Sequence, residues 1–388
     1  MRDHDGLTFS LQEYERRLTE LRQRMQERLL DAVIISDPEN LAYLTGHQTT
    51  GYSFFQALLV PLEREPVSIT RQMEASNIEY RTWVEDARYY SDTGDAIQML
   101  YDVIREMGLI GKNVGHERNS YFFPAYQQDR LHTMFSNGNL QDCFGIVEEG
   151  RICKSADEIA VMKKASKATQ AGMQAGYEAV AEGVTENDIA AAVCDAMFRA
   201  GGEYPAVLPY VASGPRTMIG HATWEGRTVQ ANEHVFLELA GCYRRYHTAM
   251  MRTVVLGELS QSMYKAQERM KTALIEVENL IRPGVTVSDV DKLVRNIISD
   301  NDVGAQLVTR AGYSIGIAFS PSWDEGYMLS LKQGSQDILK PGMTIHIIPW
   351  MYGVDGDKTC GISDTIHVTE KGCESFFDLD RDFIVKPN

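Results

Sequence analysis

The word Gly-Val-Thr-x-x-Asp-apolar occurs twice in this chain of 388 residues, at Gly183–Ile189 and about one hundred residues later at Gly284–Val290. Each copy follows one helical pattern and begins another. Thr185 and Thr286 are placed to cap the helix that follows, and Asp188 and Asp289 stand where a side chain reaches back to the cap. Each copy also precedes a strand-rich segment, 205–212 with 233–256 and then 307–319 with 343–368. A chain that repeats helix, turn, helix and strands is expected to fold as two related halves about a pseudo-two-fold axis. The centre of such a sheet collects side chains from both halves.

The first 150 residues read differently. Leu11, Tyr14, Leu18, Leu21, Met25 and Leu29 recur at steps of three and four, the mark of an amphipathic helix. DAVIIS (31–36), FFQALLV (54–60), VSITR (67–71), KNVGHE (112–117) and LQDCFG (140–145) read as strands. A short turn or helix is expected at 40–46, and helices at 96–107 and 124–135. Strands alternating with helices predict an α/β domain with a mainly parallel sheet. The domains are therefore expected at 1–150 and 151–388.

Composition narrows the function classes. A net charge of −16 disfavours nucleic acid and anionic membrane as partners. The six cysteines are scattered with no CxxC pair, which favours free thiols in a reducing, cytoplasmic setting over disulfides or zinc. The opening MRDHDGLTFS lacks the apolar stretch of a secretory signal, and no run of the sequence is long enough to span a bilayer.

The chemistry concentrates in Arg216–Thr253. His221 sits in a Gly-His-Ala-Thr turn, and Glu238 sits in the apolar strand VFLELAG. A carboxylate in such a strand is costly to bury without a partner or a task. An imidazole beside a carboxylate is the usual pair for moving protons near neutral pH. For His221 the alternative is a packed or surface-loop histidine, and for Glu238 a pairing with Arg244 or Arg245.

KSADEIAVMKKA, PGMTIHIIPWMY and GISDTIHVTEKG, together with the duplicated word, resemble the pita-bread-fold superfamily of creatinase, prolidase and methionine aminopeptidase. The resemblance covers nearly the whole length. It implies a creatinase-type N-terminal domain ahead of an α+β pita-bread catalytic domain. NLAYLTGHQTTGYSFFQALLVP and GHATWEGR are most similar to those members that open the cyclic amidine ring of the compatible solute ectoine.

The metallopeptidases of that superfamily hold two metals with two Asp, one His and two Glu. Aligning the surrounding words puts these positions on Glu238, Ala249, Tyr313, Ile348 and Ser363. Two cations about 3.5–4 Å apart need bridging carboxylates, which Ala, Ile and Tyr do not supply. The expectation is a metal-free hydrolase with no cofactor, acting on a small organic cation. Creatinase-like enzymes place a further Glu before Arg-Thr; Met251 stands there, which argues against creatine itself. The resemblance assigns proton transfer to His221. Glu238 would either bind a ring N–H or attack the ring directly, and the two roles stay open.

Strand period predicts the rest of the pocket, because residues two apart share a face. His346 and Trp350 join Ile348, Phe236 and Ala240 flank Glu238, His247 and Met251 flank Ala249, and Thr365 joins Ser363. Core packing competes for Tyr313, His346 and Trp350, and partial exposure for His247. Tyr52 and Phe54 lie in the loop that in creatinase-like homodimers reaches the neighbouring subunit's site; their alternative is ordinary hydrophobic filling. Arg216 and Arg310 are candidates for a substrate carboxylate, with surface ion pairs as the alternative.

Overall fold

The structure is a computed structural model that describes residues 1–136, 138–299 and 303–388. The chain forms two compact units, Met1–Arg151 and Ile152–Asn388.

The first unit contains α1 (Leu11–Glu27), β1 (Ala32–Ile35), α2 (Pro38–Thr45), β2 (Ala57–Pro61), β3 (Val67–Arg71), α3 (Ala75–Arg81), β4 (Asp86–Tyr90), α4 (Ala96–Glu106), β5 (Asn113–His116), α5 (Ala125–Met134), β6 (Asn139–Asp142) and α6 (Glu148–Arg151). Its six strands run in the order β4-β3-β2-β1-β5-β6. Ala32, Ile34, Leu59 and Ile69 pack one face against Leu100, Val103 and Ile104 of α4 and Leu131 of α5. Three of the five strand pairings are parallel, as expected, while β1 with β2 and β2 with β3 are antiparallel. The connection after Pro61 is too short for a crossover, so it closes as a hairpin. The sequence reading also passed over α3 and β4. The helix is short, and only Tyr90 of β4 is buried, so neither element has a clear apolar period.

The second unit contains α7 (Ala156–Ala179), α8 (Glu186–Arg199), β7 (Tyr210–Ser213), β8 (His234–Tyr243), β9 (Tyr246–Leu256), α9 (Gln261–Leu280), α10 (Val287–Ser299), β10 (Gly312–Ser314), β11 (Ser330–Leu331), β12 (Thr344–Ile347), β13 (Trp350–Val354), β14 (Lys358–Gly361), β15 (Asp364–Val368), β16 (Cys373–Ser375) and β17 (Ile384–Lys386). Two sheets, β17-β9-β8-β7 and β11-β10-β12-β15-β16, accompany a ribbon of β13 and β14. α7 and α8 cover the first sheet, with Met173, Val193 and Met197 against Leu237 and Leu239. α9 and α10 cover the second, with Met270, Leu274 and Val294 against Ile345 and Ile347.

The duplicated words are two copies of one turn. Gly183 and Gly284 both take left-handed backbone, at φ 82° and 94°, where a side chain would be strained. Val180 and Ile281 end the preceding helices with the same dihedrals, φ −66° and ψ 119°. The Gly183 amide donates to the Val229 carbonyl and the Gly284 amide to the Leu339 carbonyl, each over 3.0 Å. Thr185 and Thr286 accept from the Asp188 and Asp289 amides, as capping requires.

The two halves meet along β9. The Ala249 amide donates to Thr365 Oγ1, which donates in turn to the Ala249 carbonyl, each over 2.9 Å. One pair further along, the Met251 amide donates to Ser363 Oγ over 2.7 Å.

Candidate active site

The site grows from cross-strand register. Tyr210 of β7, Glu238 of β8 and Met251 of β9 stand opposite one another in one row. Cross-strand neighbours share a face, and all three line a cavity of about 580 Å³ within the second unit. The next row contributes Ala212 and Phe236 to the same wall. The other half supplies Tyr313, Ile348 and Trp350, and the loops add Thr217, His221, Arg310, Trp323 and Asp324. That volume suits a small organic ligand.

Glu238 is buried, and among the described residues its carboxyl has no hydrogen-bond or ion-pair partner. Burial pushes its pKa up to about 8. Arg244 and Arg245 are engaged elsewhere. Arg245 donates to the Ala318 and Tyr204 carbonyls, and the Arg244 amide donates to Glu203.

His221 follows the short 3-10 segment Gly214–Met218 and has a positive φ of 57°, uncommon outside glycine. Arg216 explains how the turn is held. It pairs with Glu186 and Glu225 and donates to the Thr223 carbonyl over 2.6 Å, clamping the loop across His221. The exposed imidazole lies 5.8 Å, ring to ring, from Tyr210, and Tyr210 lies 5.6 Å from Trp323. Arg216 is thus a clamp rather than a lining residue. Arg310, by contrast, stands on the cavity wall, paired with Asp324 and Ser330.

Several expected lining residues are set back. His346 shares its parity with Ile348 and Trp350, but it is fully buried, and its cross-strand partner Tyr313 on β10 stands on the cavity wall in its stead. Its ring bonds Tyr313 Oη over 2.9 Å and Ser363 Oγ over 2.7 Å, and burial pushes its pKa down to about 3. Ser363, Thr365 and Ala249 are consumed by the junction between the sheets, and Ala240 is buried away from the wall. His247 is fully buried rather than partly exposed, and its Nε2 accepts from the Ala206 amide.

Tyr52 and Phe54 belong to the first unit. Tyr52 meets Phe122 edge-on at 5.4 Å, and Phe54 lies exposed under Arg71 at 3.6 Å. The sequence reading missed Tyr210 and Trp323. The one available signal was the aromatic in Ser320-Pro321-Ser322-Trp323, a turn-rich stretch where a tryptophan is out of place.

Around Glu238 the wall offers Met251, Phe236, Tyr313 and Ile348, a donor set unsuited to a pair of metals. Among the described residues, the one group of three or more His, Cys, Asp or Glu side chains close enough together to hold a metal is Asp37, Glu117 and Glu148, in the first unit. No helix of the described residues is long and apolar enough to cross a membrane.

The fold and the cavity define a class, and comparison with known proteins fixes it. Residues 160–370 match Metallopeptidase family M24, and residues 17–153 match the Creatinase/Prolidase N-terminal domain. The chain belongs to this creatinase and prolidase family of pita-bread hydrolases and peptidases. It is similar to the ectoine hydrolase of Halomonas elongata, at 31% identity over 98% of this chain and 99% of that protein. An uncharacterized hydrolase/peptidase of Sinorhizobium fredii is 30% identical over 98% of this chain and 99% of its own. A prolidase from Thermococcus sibiricus shares the fold with a TM-score of 0.86, at 23% identity over 96% of this chain and 99% of that one.

Proposed function

We propose that the cavity around Glu238 is the active site of a metal-independent hydrolase that opens the cyclic amidine ring of ectoine to an N-acetyl-L-2,4-diaminobutyrate. The observation that carries this reading is Glu238 itself, a buried carboxyl with no partner among the described residues, set among Tyr210, Phe236, Tyr313, Trp323 and Trp350. A carboxyl inside an aromatic wall, giving up its proton when a cation arrives, is a receptor for a delocalised organic cation. The likeness to an ectoine hydrolase along the full chain supports the substrate. The replaced ligand positions Ala249, Tyr313, Ile348 and Ser363 support the absence of a metal.

In this reading the amidinium ring lies against the aromatic residues, with an N–H on Glu238. Arg310 faces the substrate carboxylate. The ring carbon between the two nitrogens of the amidinium is already electrophilic. Water adds to it, the C–O bond forms, the C=N π pair moves onto nitrogen, and His221 takes one water proton. The ring C–N bond then breaks with its electron pair on the departing nitrogen. His221 returns its proton there, and the second water proton follows as C=O forms. Amidinium and water thus become an amide and an ammonium group.

The bare state of the Glu238 carboxyl also favours a second reading, in which the carboxylate attacks the ring carbon and water releases the adduct. Intact-mass analysis of the enzyme quenched during turnover separates the two. An adduct on Glu238 establishes the second, and label from heavy-oxygen water that reaches product without entering the protein establishes the first.

A homodimer belongs to the same proposal and is checked by sedimentation velocity. The deciding experiment incubates the protein with ectoine, with and without chelator, and follows ring opening by NMR. Equal rates of acetyl-diaminobutyrate formation are expected. No product would sink the substrate, and loss of turnover on chelation would sink the metal-free site.

A further inference from the structure

Five groups behind the cavity form a chain whose polarity is fixed at both ends. The Met251 amide can only donate, and it donates to Ser363 Oγ over 2.7 Å. The Trp323 indole Nε1–H can only donate, and it donates to Tyr313 Oη over 3.1 Å. Between them lies His346, with Nε2 at 2.7 Å from Ser363 Oγ and Nδ1 at 2.9 Å from Tyr313 Oη. The imidazole is fully buried and neutral, so it carries one N–H.

Two arrangements of the protons are conceivable, and they differ in what they leave undone. If His346 carries its proton on Nε2, Ser363 Oγ accepts twice. Its own O–H, fully buried, then has no acceptor among the described residues. Tyr313 meanwhile spends its proton inward on Nδ1. If His346 carries its proton on Nδ1, Ser363 O–H donates to Nε2 and Nδ1–H donates to Tyr313 Oη. Every group in the chain except the Tyr313 O–H is then paired. Tyr313 Oη already accepts from both Trp323 and His346, so its O–H has only the cavity left to face.

We propose that Tyr313 is a catalytic hydrogen-bond donor whose O–H, turned into the cavity by the Ser363–His346 chain, holds the oxygen that becomes the product's amide carbonyl. The target of the donor rests on the ectoine reading above; its direction does not. The oxygen delivered by water gains negative charge in the transition state as the ring C–N bond breaks and its second proton leaves. A donor preset by the protein stabilises that charge without rearranging. Ser363 and His346 are positioning residues, since they act through Tyr313.

The test has two arms. In protein labelled with 15N-histidine, long-range proton–nitrogen correlations report which ring nitrogen of His346 is protonated. The signal is assigned by its loss in His346→Gln, or by its shift in Tyr313→Phe should that variant fail to fold. Nδ1–H is expected, and Nε2–H overturns the proposal. In the second arm, Tyr313→Phe is assayed on ectoine. A fall in kcat of about 100-fold with KM changed only a few-fold is the signature of a lost transition-state donor. An unchanged kcat overturns the catalytic role. Should the parent protein not turn over ectoine, the ectoine reading falls. The tautomer then decides the donor alone: Nδ1–H upholds it and Nε2–H overturns it.

Discussion

Glu186 and Glu238 are both buried carboxylates of the second unit, and their surroundings are opposite. Glu186, at the start of α8, accepts from the Ser213 amide and hydroxyl over 2.8 Å each, from the Glu225 amide over 3.3 Å, and from Arg216. Glu238 accepts from nothing among the described residues and opens on a cavity. A carboxylate whose lone pairs are filled by its own chain holds the fold together. One left bare inside an aromatic wall is kept at a cost to stability, and it binds what arrives. The pair also cooperates, because Glu186 anchors Arg216 and Arg216 clamps the turn that carries His221.

The sharpest break of this contrast exchanges the two phenotypes. Glu238→Gln is expected to lower turnover of ectoine by about 1,000-fold, within the span of lost acid–base or charge-pairing groups. Its urea unfolding midpoint should be equal to the parent's or higher. Glu186→Ala is expected to lose about 3 kcal/mol of stability, because Arg216 keeps its charge in a nearly buried place without its main partner. Urea unfolding followed by far-UV circular dichroism, beside a turnover assay on each variant, makes the comparison. A destabilised Glu238→Gln would show that the carboxyl has a structural partner after all.

Legibility in the sequence followed the range of the forces involved. The longer helices and the two Gly-Val-Thr turns were readable because their causes lie within a few residues: a capping threonine, a returning aspartate and a left-handed glycine. Glu238, Tyr313 and Trp350 were placed by word alignment and strand period, and the cavity includes them all. Period failed at His346, whose place on the cavity wall is taken by its cross-strand partner Tyr313. Parity says which face a residue takes, whereas what lies on that face depends on a strand some thirty residues away. Tyr210 and Trp323 were out of reach for the same reason, since β-sheet register brings the one to Glu238 and a loop brings the other to Tyr313. Ser363 and Thr365 have the right parity for the cavity, but their hydroxyls are drawn to the free edge of β9.

The pH dependence of stability sharpens the contrast further. Burial raises the Glu238 pKa from 4.5 to about 8. Between those values the native protein holds a proton that the unfolded chain has released. Stability therefore falls as pH rises through the window, at about 1.4 kcal/mol per pH unit for one proton, and levels above about pH 8. Glu238→Gln removes this slope. Unfolding free energies of parent and variant, measured at intervals between about pH 5 and 9, should diverge through the window and run parallel above it. Parallel curves throughout would mean that the carboxyl is ionised and satisfied in the resting protein. A bound cation reverses the protonation, so ligand binding below about pH 8 should release a proton, measurable as a dependence of binding heat on buffer ionisation enthalpy.

The smallest effect separates the junction of the two halves from the cavity beside it. Thr365 and Ser363 both bond β9, but only the Ser363 hydroxyl goes on to the His346 ring and so to Tyr313. Thr365→Val keeps the shape and leaves the Ala249 amide and carbonyl without their partner, a loss of about 2 kcal/mol for groups buried at a sheet junction. Turnover and KM on ectoine should stay at parent values, because Thr365 reaches no cavity residue through hydrogen bonds. A stability loss of that size with unchanged kinetics separates the weld from the relay. A matching fall in kcat would mean that the spacing of β9 and β15 itself sets the position of Tyr313, and the fold and the site would then have to be treated as one mechanical unit.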